Sequence, residues 1–123
     1  MVFEGDASLL MNVQELDTLA RSVPRLLVVV MNDGALGAEF HKLGWKGHDP
    51  ALATAPSVDF ATLAAGFGLA GETVTDLASA RRAAGSWANG ERPGALLLDL
   101  RISPNVMSRP YRRLYTGSVT RGG

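Results

Sequence analysis

The chain has 123 residues, of which 46% are hydrophobic and 20% are charged, and this composition predicts one folded globular domain rather than a disordered chain. The formal net charge is zero, which argues against a protein that binds nucleic acid by electrostatic attraction. Cysteine is absent, which excludes disulfides, thiolate chemistry and zinc–sulfur sites.

The start of the chain carries no recognisable targeting signal. Residues 1–4 are mostly apolar and predict the end of a β-strand. No basic region followed by an apolar stretch and a cleavage site occurs here, so no secretion signal is expected. The longest apolar run, residues 26–31, is far too short to cross a membrane. We therefore expect a soluble cytoplasmic protein without a membrane partner.

The next stretch predicts one helix followed by one strand. Apolar residues at helical spacing indicate a helix over residues 9–22, which Pro24 prevents from continuing. The run RLLVVVM at residues 25–31 is apolar and rich in β-branched side chains, a pattern typical of a strand covered on both faces in a parallel sheet. The stretch NDGALG at residues 32–37 predicts a loop.

The second half of the chain continues this alternation. Residues 43–57 contain several glycines and prolines and predict irregular structure. Asp59 predicts the N-cap of a helix that ends at Gly68. Two further strands are expected, a short one over residues 71–74 and a buried one over residues 94–100.

A last helix is predicted between these two strands, capped by Thr75 and terminated by Asn89 and Gly90. Met11 and Phe67 also lie at core spacing and are interpreted as packing residues. The inner face of the last helix is predicted to carry Leu77, Ala80, Ala84 and Trp87. Alternating strands and helices predict an α/β fold, a three-layer sandwich with a mostly parallel sheet.

Two aspartates follow the first two predicted strands, Asp6 after the first and Asp33 after the second. Ligands collect at the carboxyl ends of parallel strands, so both carboxylates are expected on one rim of the sheet. Two carboxylates with nearby carbonyl oxygens suit Mg²⁺ or Ca²⁺, and the helix that opens at Ala7 and Ser8 favours a phosphate group. The spacing is compatible with a magnesium–diphosphate site.

The same residues also fit other interpretations. An aspartate between a strand and a helix is commonly an N-cap, and Asn-Asp-Gly is commonly a simple turn, so the spacing alone leaves a structural role open. An unrelated receiver-like domain that holds Mg²⁺ through Asp6 and Asp33 is a third alternative. Asp99 could be its phosphoacceptor, but the required lysine at the end of a later strand is missing.

The chain resembles thiamine diphosphate enzymes, whose diphosphate-binding signature is Gly-Asp-Gly or Gly-Asp-Ala followed later by Asn-Asn or Asn-Asp. Here it reads GDAS at residues 5–8 and MNDGALG at residues 31–37. The stretches SVDFATLAAGFGLAG, DLASARRAAG and GALLLDLRIS extend the resemblance to about residue 103. It is strongest to the branch of acetolactate synthase, benzoylformate decarboxylase and benzaldehyde lyase. The resemblance implies a partial C-terminal thiamine diphosphate-binding domain at residues 1–103 and a basic tail at residues 104–123.

The resemblance implies thiamine diphosphate and Mg²⁺ as cofactors and names their ligands. Asp6 and Asp33 would bind Mg²⁺ through their side chains, and Ala35 through its main-chain carbonyl. The residues implied to contact the diphosphate are Gly5, Ala7, Ser8, Leu36 and Gly37.

The chain departs from the family pattern at two positions. Asp33 stands where the family usually has Asn, so an additional negative charge would face the diphosphate and make its affinity depend more steeply on Mg²⁺. Lys42 stands where acetolactate synthases place a pocket Trp, which argues against an acetolactate synthase in the strict sense. Glu39 and His41 are candidates for a catalytic or substrate-contacting role, and solvation on a surface helix is the alternative.

The family also implies a partner. Its cofactor is activated by a glutamate on a separate pyrimidine-binding domain, contributed across a dimer interface. Neither that domain nor the first strands and helices of the cofactor domain are recognised here, so we expect a homo- or hetero-oligomer that is catalytic only with the missing pyrimidine-binding domain or subunit. The expected chemistry is that of a carboligase or decarboxylase acting on 2-oxo acids or aldehydes. A truncated, non-catalytic relative is the alternative.

The C-terminal stretch is basic, because no acidic residue follows Asp99. Its arginines are Arg101, Arg109, Arg112, Arg113 and Arg121. We expect a solvated or subunit-contacting segment, with a phosphate-binding site as the alternative.

Overall fold

Four parallel strands form one sheet in the computed structural model, which describes residues 1–116. The strands are β1 (Val2–Gly5), β2 (Leu27–Asn32), β3 (Ala70–Val74) and β4 (Leu96–Arg101). Their order across the sheet is β1-β2-β4-β3, and every neighbouring pair is parallel. The register places Glu4 opposite Val30 and Val30 opposite Asp99. The predicted parallel sheet is therefore confirmed.

Helices connect the strands and follow the last one. They are α1 (Asp6–Met11), α2 (Glu15–Ser22), α3 (Gly37–Trp45), α4 (Phe60–Gly66), α5 (Leu77–Ala88) and α6 (Arg109–Thr116), with a 3-10 helix at Pro50–Ala53. None of these helices, within residues 1–116, is long and apolar enough to cross a membrane. Arg121 of the predicted basic tail lies outside the described residues.

The sheet is covered on both faces because side chains alternate along each strand. One apolar cluster joins β2 and β4 to α1, α2 and α4, and consists of Leu9, Leu16, Val28, Val30, Phe60, Ala64, Leu69 and Leu97. The other joins the opposite face to α5, and consists of Leu27, Val29, Val74, Ala83, Leu96 and Leu98. Two helical layers thus enclose one sheet, which is the predicted three-layer sandwich.

The helix predicted over residues 9–22 is divided into two. Helix α1 ends at Met11, and Asn12 follows with φ −130°, outside the helical region. The Asn12 amide group donates to the carbonyl of Ser8 at 3.4 Å, and its backbone N–H donates to Leu9. Asparagine competes with the helix for backbone groups in this way, so the predicted continuity is wrong. The apolar spacing holds for Leu9 and Leu16, which are buried, whereas Ala20 is exposed.

Helix α5 is capped by Asp76 rather than by the predicted Thr75. The Asp76 carboxylate accepts a hydrogen bond from the backbone N–H of Ser79 at 2.8 Å. Leu77 is then the first residue of the helix and is 64% exposed, so its predicted place on the inner face is wrong, and Ala83, which was not predicted, is buried. Ala80, Ala84 and Trp87 pack as predicted, next to that cluster.

Four other expectations concern three single residues and one loop. Met11 is 71% exposed at the end of α1, so its predicted role in packing is wrong, whereas Phe67 packs against the first apolar cluster. The stretch 43–57 is more regular than predicted, because α3 continues to Trp45 and a 3-10 helix follows. Asp59 caps α4 as predicted, accepting from the backbone N–H of Thr62 at 3.0 Å.

Candidate functional site

Asp6 joins the ends of the two neighbouring strands β1 and β2. It is the first residue of α1 and is only 5% exposed. One carboxylate oxygen accepts from the backbone N–H of Ala7 at 2.8 Å, and the other accepts from the backbone N–H of Gly34 at 2.9 Å. The Asp6 side chain therefore connects the first turn of α1 directly to the turn after β2.

Asp33 lies in that turn, immediately after β2. Its Oδ1 accepts from the backbone N–H of Ala35 at 3.0 Å, and its Oδ2 faces the main chain at Gly37, the first residue of α3. Burial raises the pKa of the Asp33 carboxyl, the Ala35 N–H opposes this shift, and the nearby Asp6 charge adds to it. His41 lowers the same pKa. Asp33 is thus a partly buried carboxylate beside a second acidic group.

Both aspartates line one cavity of about 280 Å³ at the carboxyl end of the sheet. The cavity is also lined by Gly5, Ala7, Ser8, Met31, Ala35, Leu36, Gly37, Ala38, Glu39 and Ile102. The set contains every residue that the sequence analysis named as a metal or diphosphate contact. Met31, Ala38 and Ile102 line the cavity without having been predicted as contacts. Met31 begins the stretch MNDGALG and could have been identified from it, whereas Ala38 and Ile102 lie outside the quoted signature.

Glu39 and His41 lie on different sides of this region. Glu39 lines the cavity that holds both aspartates, whereas His41 lines a neighbouring cavity of about 210 Å³ that shares Asp33 with it. The far wall of that second cavity is formed by residues 106–108 and by Tyr111 of α6. There the Tyr111 hydroxyl donates to the carbonyl of Ala38 at 3.3 Å, and its hydrogen bond with Tyr115 raises the Tyr111 pKa to about 12.

The turn that carries Asp33 is also tied to the segment before α4. The backbone N–H of Leu36 donates to Ala53 at 2.8 Å, and the backbone N–H of Ala55 donates to Gly34 at 2.8 Å. These two bonds accompany an isolated bridge between Ala35 and Thr54. The turn is therefore held on one side by Asp6 and on the other by residues 53–55.

The donor set fits a hard divalent cation. Two carboxylates with like charge face one cavity, one of them disfavoured in its charged form by burial, and a cation between them would offset both penalties. Gly37 opens α3, whose first backbone N–H groups have no partner within the helix and favour an anion. Among residues 1–116, no group of three or more His, Cys, Asp or Glu side chains is placed to hold a metal.

Asp99 does not lie at the rim of the sheet with Asp6 and Asp33. It is fully buried in β4 and its carboxylate is hydrogen-bonded to Asn32 and to the backbone N–H of Phe60. A phosphoacceptor must be reached by its phosphodonor, so this burial argues against the receiver-like alternative. Arg101 of the basic stretch pairs with Asp99 at 2.8 Å.

Comparison with known proteins gives one family match. Residues 1–99 match the family model described as thiamine pyrophosphate enzyme, C-terminal TPP binding domain. No curated protein matches the chain.

Among solved structures, 63 chains match. One is a thiamine diphosphate-dependent 4-hydroxybenzoylformate decarboxylase from Rhodococcus jostii RHA1, with a TM-score of 0.69 and 24% identity. The match covers 83% of this chain and 19% of the decarboxylase chain, so this chain spans about a fifth of that protein's length. At this identity the likeness shows a shared fold.

Proposed function

Because this chain belongs to the thiamine pyrophosphate enzymes through their C-terminal TPP-binding domain, we propose that it binds the diphosphate group of thiamine diphosphate through one Mg²⁺ ion. The observation that carries the proposal is the hydrogen bond from the Gly34 N–H to the Asp6 carboxylate. That bond brings the two segments of the diphosphate signature to one cavity, with Asp33 on its wall.

In this proposal the residues of the diphosphate signature that line the cavity have defined tasks. The Asp6 and Asp33 carboxylates and the Ala35 carbonyl hold Mg²⁺, and diphosphate oxygens and water complete its coordination. The diphosphate is contacted by the main chain around Gly5, Ala7, Ser8, Leu36 and Gly37. When bound, thiamine diphosphate would supply the stabilisation of negative charge on the carbonyl carbon of the substrate, and these residues would bind and orient its charged end.

The reaction we propose is that of a carboligase or decarboxylase acting on 2-oxo acids or aldehydes, within the acetolactate synthase-like branch. Catalysis needs a pyrimidine-binding domain or subunit as partner, in a homo- or hetero-oligomer. Glu39 lines the cavity and is the better placed of the two polar candidates to contact substrate, because His41 faces the neighbouring cavity. A non-catalytic relative would bind the cofactor equally well and would show no turnover of pyruvate or benzoylformate with any partner.

The diphosphate site can be tested on the purified chain with inorganic pyrophosphate, which needs no pyrimidine-binding domain. We expect pyrophosphate and thiamine diphosphate to raise the melting temperature in the presence of Mg²⁺ and to have little effect when EDTA removes it, because ligands that bind only the folded state stabilise it. Thiamine without its diphosphate should produce no shift.

Two variants make the test specific. Asp6→Asn keeps the size of the side chain and removes its charge, and we expect it to abolish the Mg²⁺-dependent shift. Asp17→Asn removes an exposed carboxylate that pairs with Arg21 on α2, and should leave the shift unchanged. A full shift in Asp6→Asn, or a shift of equal size with thiamine alone, would contradict the proposal.

A further inference from the structure

A carboxylate with no solvent contact lies directly beneath the candidate site. Asp99 is 0% exposed, near the end of β4, and three groups from different parts of the chain donate to it. The Asn32 amide donates to Oδ1 at 2.8 Å, the backbone N–H of Phe60 donates to Oδ2 at 3.2 Å, and the Arg101 guanidinium pairs with Oδ2 at 2.8 Å. One side chain thus joins β2, β4 and the start of α4.

Two of the partners of Asp99, Asn32 and Arg101, share a second acceptor. The Asn32 amide also donates to the carbonyl of Val58 at 3.1 Å, and Arg101 donates to the same carbonyl at 3.0 Å. Arg101 donates in addition to the hydroxyl of Ser57 at 2.8 Å. Among the described residues, no buried side-chain nitrogen or oxygen lacks a partner. The network is complete and its charge is balanced.

This network reaches the candidate metal site through two connections. Asn32 is the residue before Asp33, and its carbonyl accepts from the backbone N–H of Ile102 at 3.0 Å. The segment 53–58 is bound at one end to Gly34 and Leu36 of the turn, and at the other end to Asn32 and Arg101. The turn that carries Asp33 is therefore connected to Asp99 on both sides, through Asn32 and through the segment 53–58 with Arg101.

We propose that Asp99 is a positioning residue, which through Asn32 and Arg101 holds the turn after β2 so that Asp33 and the Gly34 N–H meet Asp6. The proposal rests on the proposed function, since it concerns the geometry of that same site. Asp99 lines neither the cavity that holds both aspartates nor the neighbouring one lined by His41, so it acts on a bound cation by fixing the residues of the turn.

The physical reason is the cost of leaving a buried carboxylate without its partners. A buried ion pair contributes little net stability, but it penalises any arrangement in which one member is unpaired. Rotation of Asn32, or movement of β2 relative to β4, would break bonds to Asp99 that water cannot replace. The turn therefore has one favoured arrangement before any ligand arrives.

The first measurement is hydrogen exchange in the ligand-free chain. In Asp99→Asn we expect the amides of Gly34 and Leu36 to exchange about tenfold faster than in the wild type, as expected when a hydrogen bond to a charged group is lost. The control is Leu98→Ala, which removes a buried side chain from the opposite face of the same strand. It should lower global stability and leave the local opening at Gly34 and Leu36 unchanged.

The second measurement is the Mg²⁺ concentration that gives half-maximal pyrophosphate binding, by calorimetry. We expect it to rise about tenfold in Asp99→Asn, the scale seen when residues that orient metal ligands are removed, and to stay at the wild-type value in Leu98→Ala. Arg101→Gln serves as the second variant should Asp99→Asn fail to fold, because Arg101 is partly exposed and the Asn32 and Phe60 bonds remain. Arg101→Gln should also raise the Mg²⁺ concentration that gives half-maximal pyrophosphate binding.

The outcomes separate the two proposals. If Asp99→Asn and Arg101→Gln are destabilised while Gly34 exchange and the Mg²⁺ midpoint stay at wild-type values, the positioning role is wrong and the proposed function stands. If the wild type shows no Mg²⁺-dependent pyrophosphate binding, the proposed function fails. The exchange rates then still decide whether Asp99 holds the turn.

Discussion

The carboxylate of Asp33 lies so close to Gly37 that a Cβ atom at position 37 would stand 2.8 Å from Asp33 Oδ2. The contact is shorter than non-bonded carbon and oxygen atoms tolerate, and the atom that must move is the end of a flexible side chain. A methyl group at position 37 therefore acts on the orientation of Asp33 rather than on the fold.

We expect Gly37→Ala to weaken Mg²⁺-dependent pyrophosphate binding by about tenfold or more, since a metal ligand turned away from its ion costs at least as much as the loss of a group that orients it. The urea midpoint should change little. Gly85→Ala is the matched control, because it lies in α5 and a Cβ there meets no atom within 4 Å. Undiminished binding in Gly37→Ala would show that Asp33 is not a ligand in this orientation.

Replacement of Asp33 by Asn should change how binding depends on the metal. The wild-type carboxylate repels an anionic diphosphate unless a cation lies between them. Without Mg²⁺ we expect Asp33→Asn to bind pyrophosphate about tenfold more tightly than the wild type, a modest effect for two charges near a protein surface. The ratio of affinities with and without Mg²⁺ should fall, as measured by calorimetry in Mg²⁺ and in EDTA. Equal ratios in the two proteins would contradict this role of the Asp33 charge.

Gly71 allows a test of the packing between β3 and α4. A Cβ at this position would lie 2.7 Å from the Cα of Ala61, and closer still to the Ala61 carbonyl oxygen. Backbone atoms cannot give way as a side chain does, so we expect Gly71→Ala to lower the free energy of unfolding by about 3 kcal/mol. Urea unfolding should show a lower midpoint at an unchanged slope. Gly66→Ala, which meets no atom within 4 Å, should not show this loss, and an unaffected Gly71→Ala would mean that α4 and β3 lie farther apart.

The N-cap of α5 should make stability depend on pH. Hydrogen bonds from the Ser79 backbone and then its side chain lower the pKa of Asp76 from its usual value, so the folded state binds the proton less tightly than the unfolded state. The contribution of Asp76 is therefore present above the unfolded pKa near 4 and is lost as the pH falls through the lower folded value.

We expect the urea midpoint of Asp76→Asn to fall less steeply than that of the wild type between about pH 5 and pH 2, because asparagine caps a helix without titrating. Asp59→Asn should behave alike, since the Thr62 backbone and side chain lower the pKa of Asp59 in the same way. Parallel pH profiles of the urea midpoint for the three proteins would show that neither cap contributes to the pH dependence of stability.

The predictable part of the fold depends on patterns within a few residues. The apolar run before Asn32 indicated a strand covered on both faces, and the caps at Asp59 and Gly90 marked helix ends. The sequence did not reveal that the side chain of Asn12 would end α1, because that outcome depends on competition between a side chain and the helix backbone. The cap at Asp76 in place of Thr75 differs by one position, and aspartate is the stronger N-cap of the two residue types.

In the candidate site, too, the local patterns were predictable and the long-range contacts were not. Asp6 and Asp33 could be expected on one rim because each follows a strand, and parallel neighbours end together. The hydrogen bond from Asn32 to Asp99 could not be predicted, because it joins positions far apart in the chain and depends on the register of β2 with β4. A single carboxylate within ALLLDLR was the available signal, because an ionised group in a buried strand requires a partner.

The centre of the sheet is a pairing between distant segments. Leu27 of β2 lies beside Leu96 of β4, and the chain between them includes α3, α4, β3 and α5. A hairpin cannot connect parallel strands. The edge of β2 that pairs with β4 therefore stays unpaired during synthesis until β4 has left the ribosome, and β2 is apolar on both faces. We therefore expect the rate of folding to be set by the encounter of these two segments, and nascent chains that end before residue 96 to require protection from aggregation.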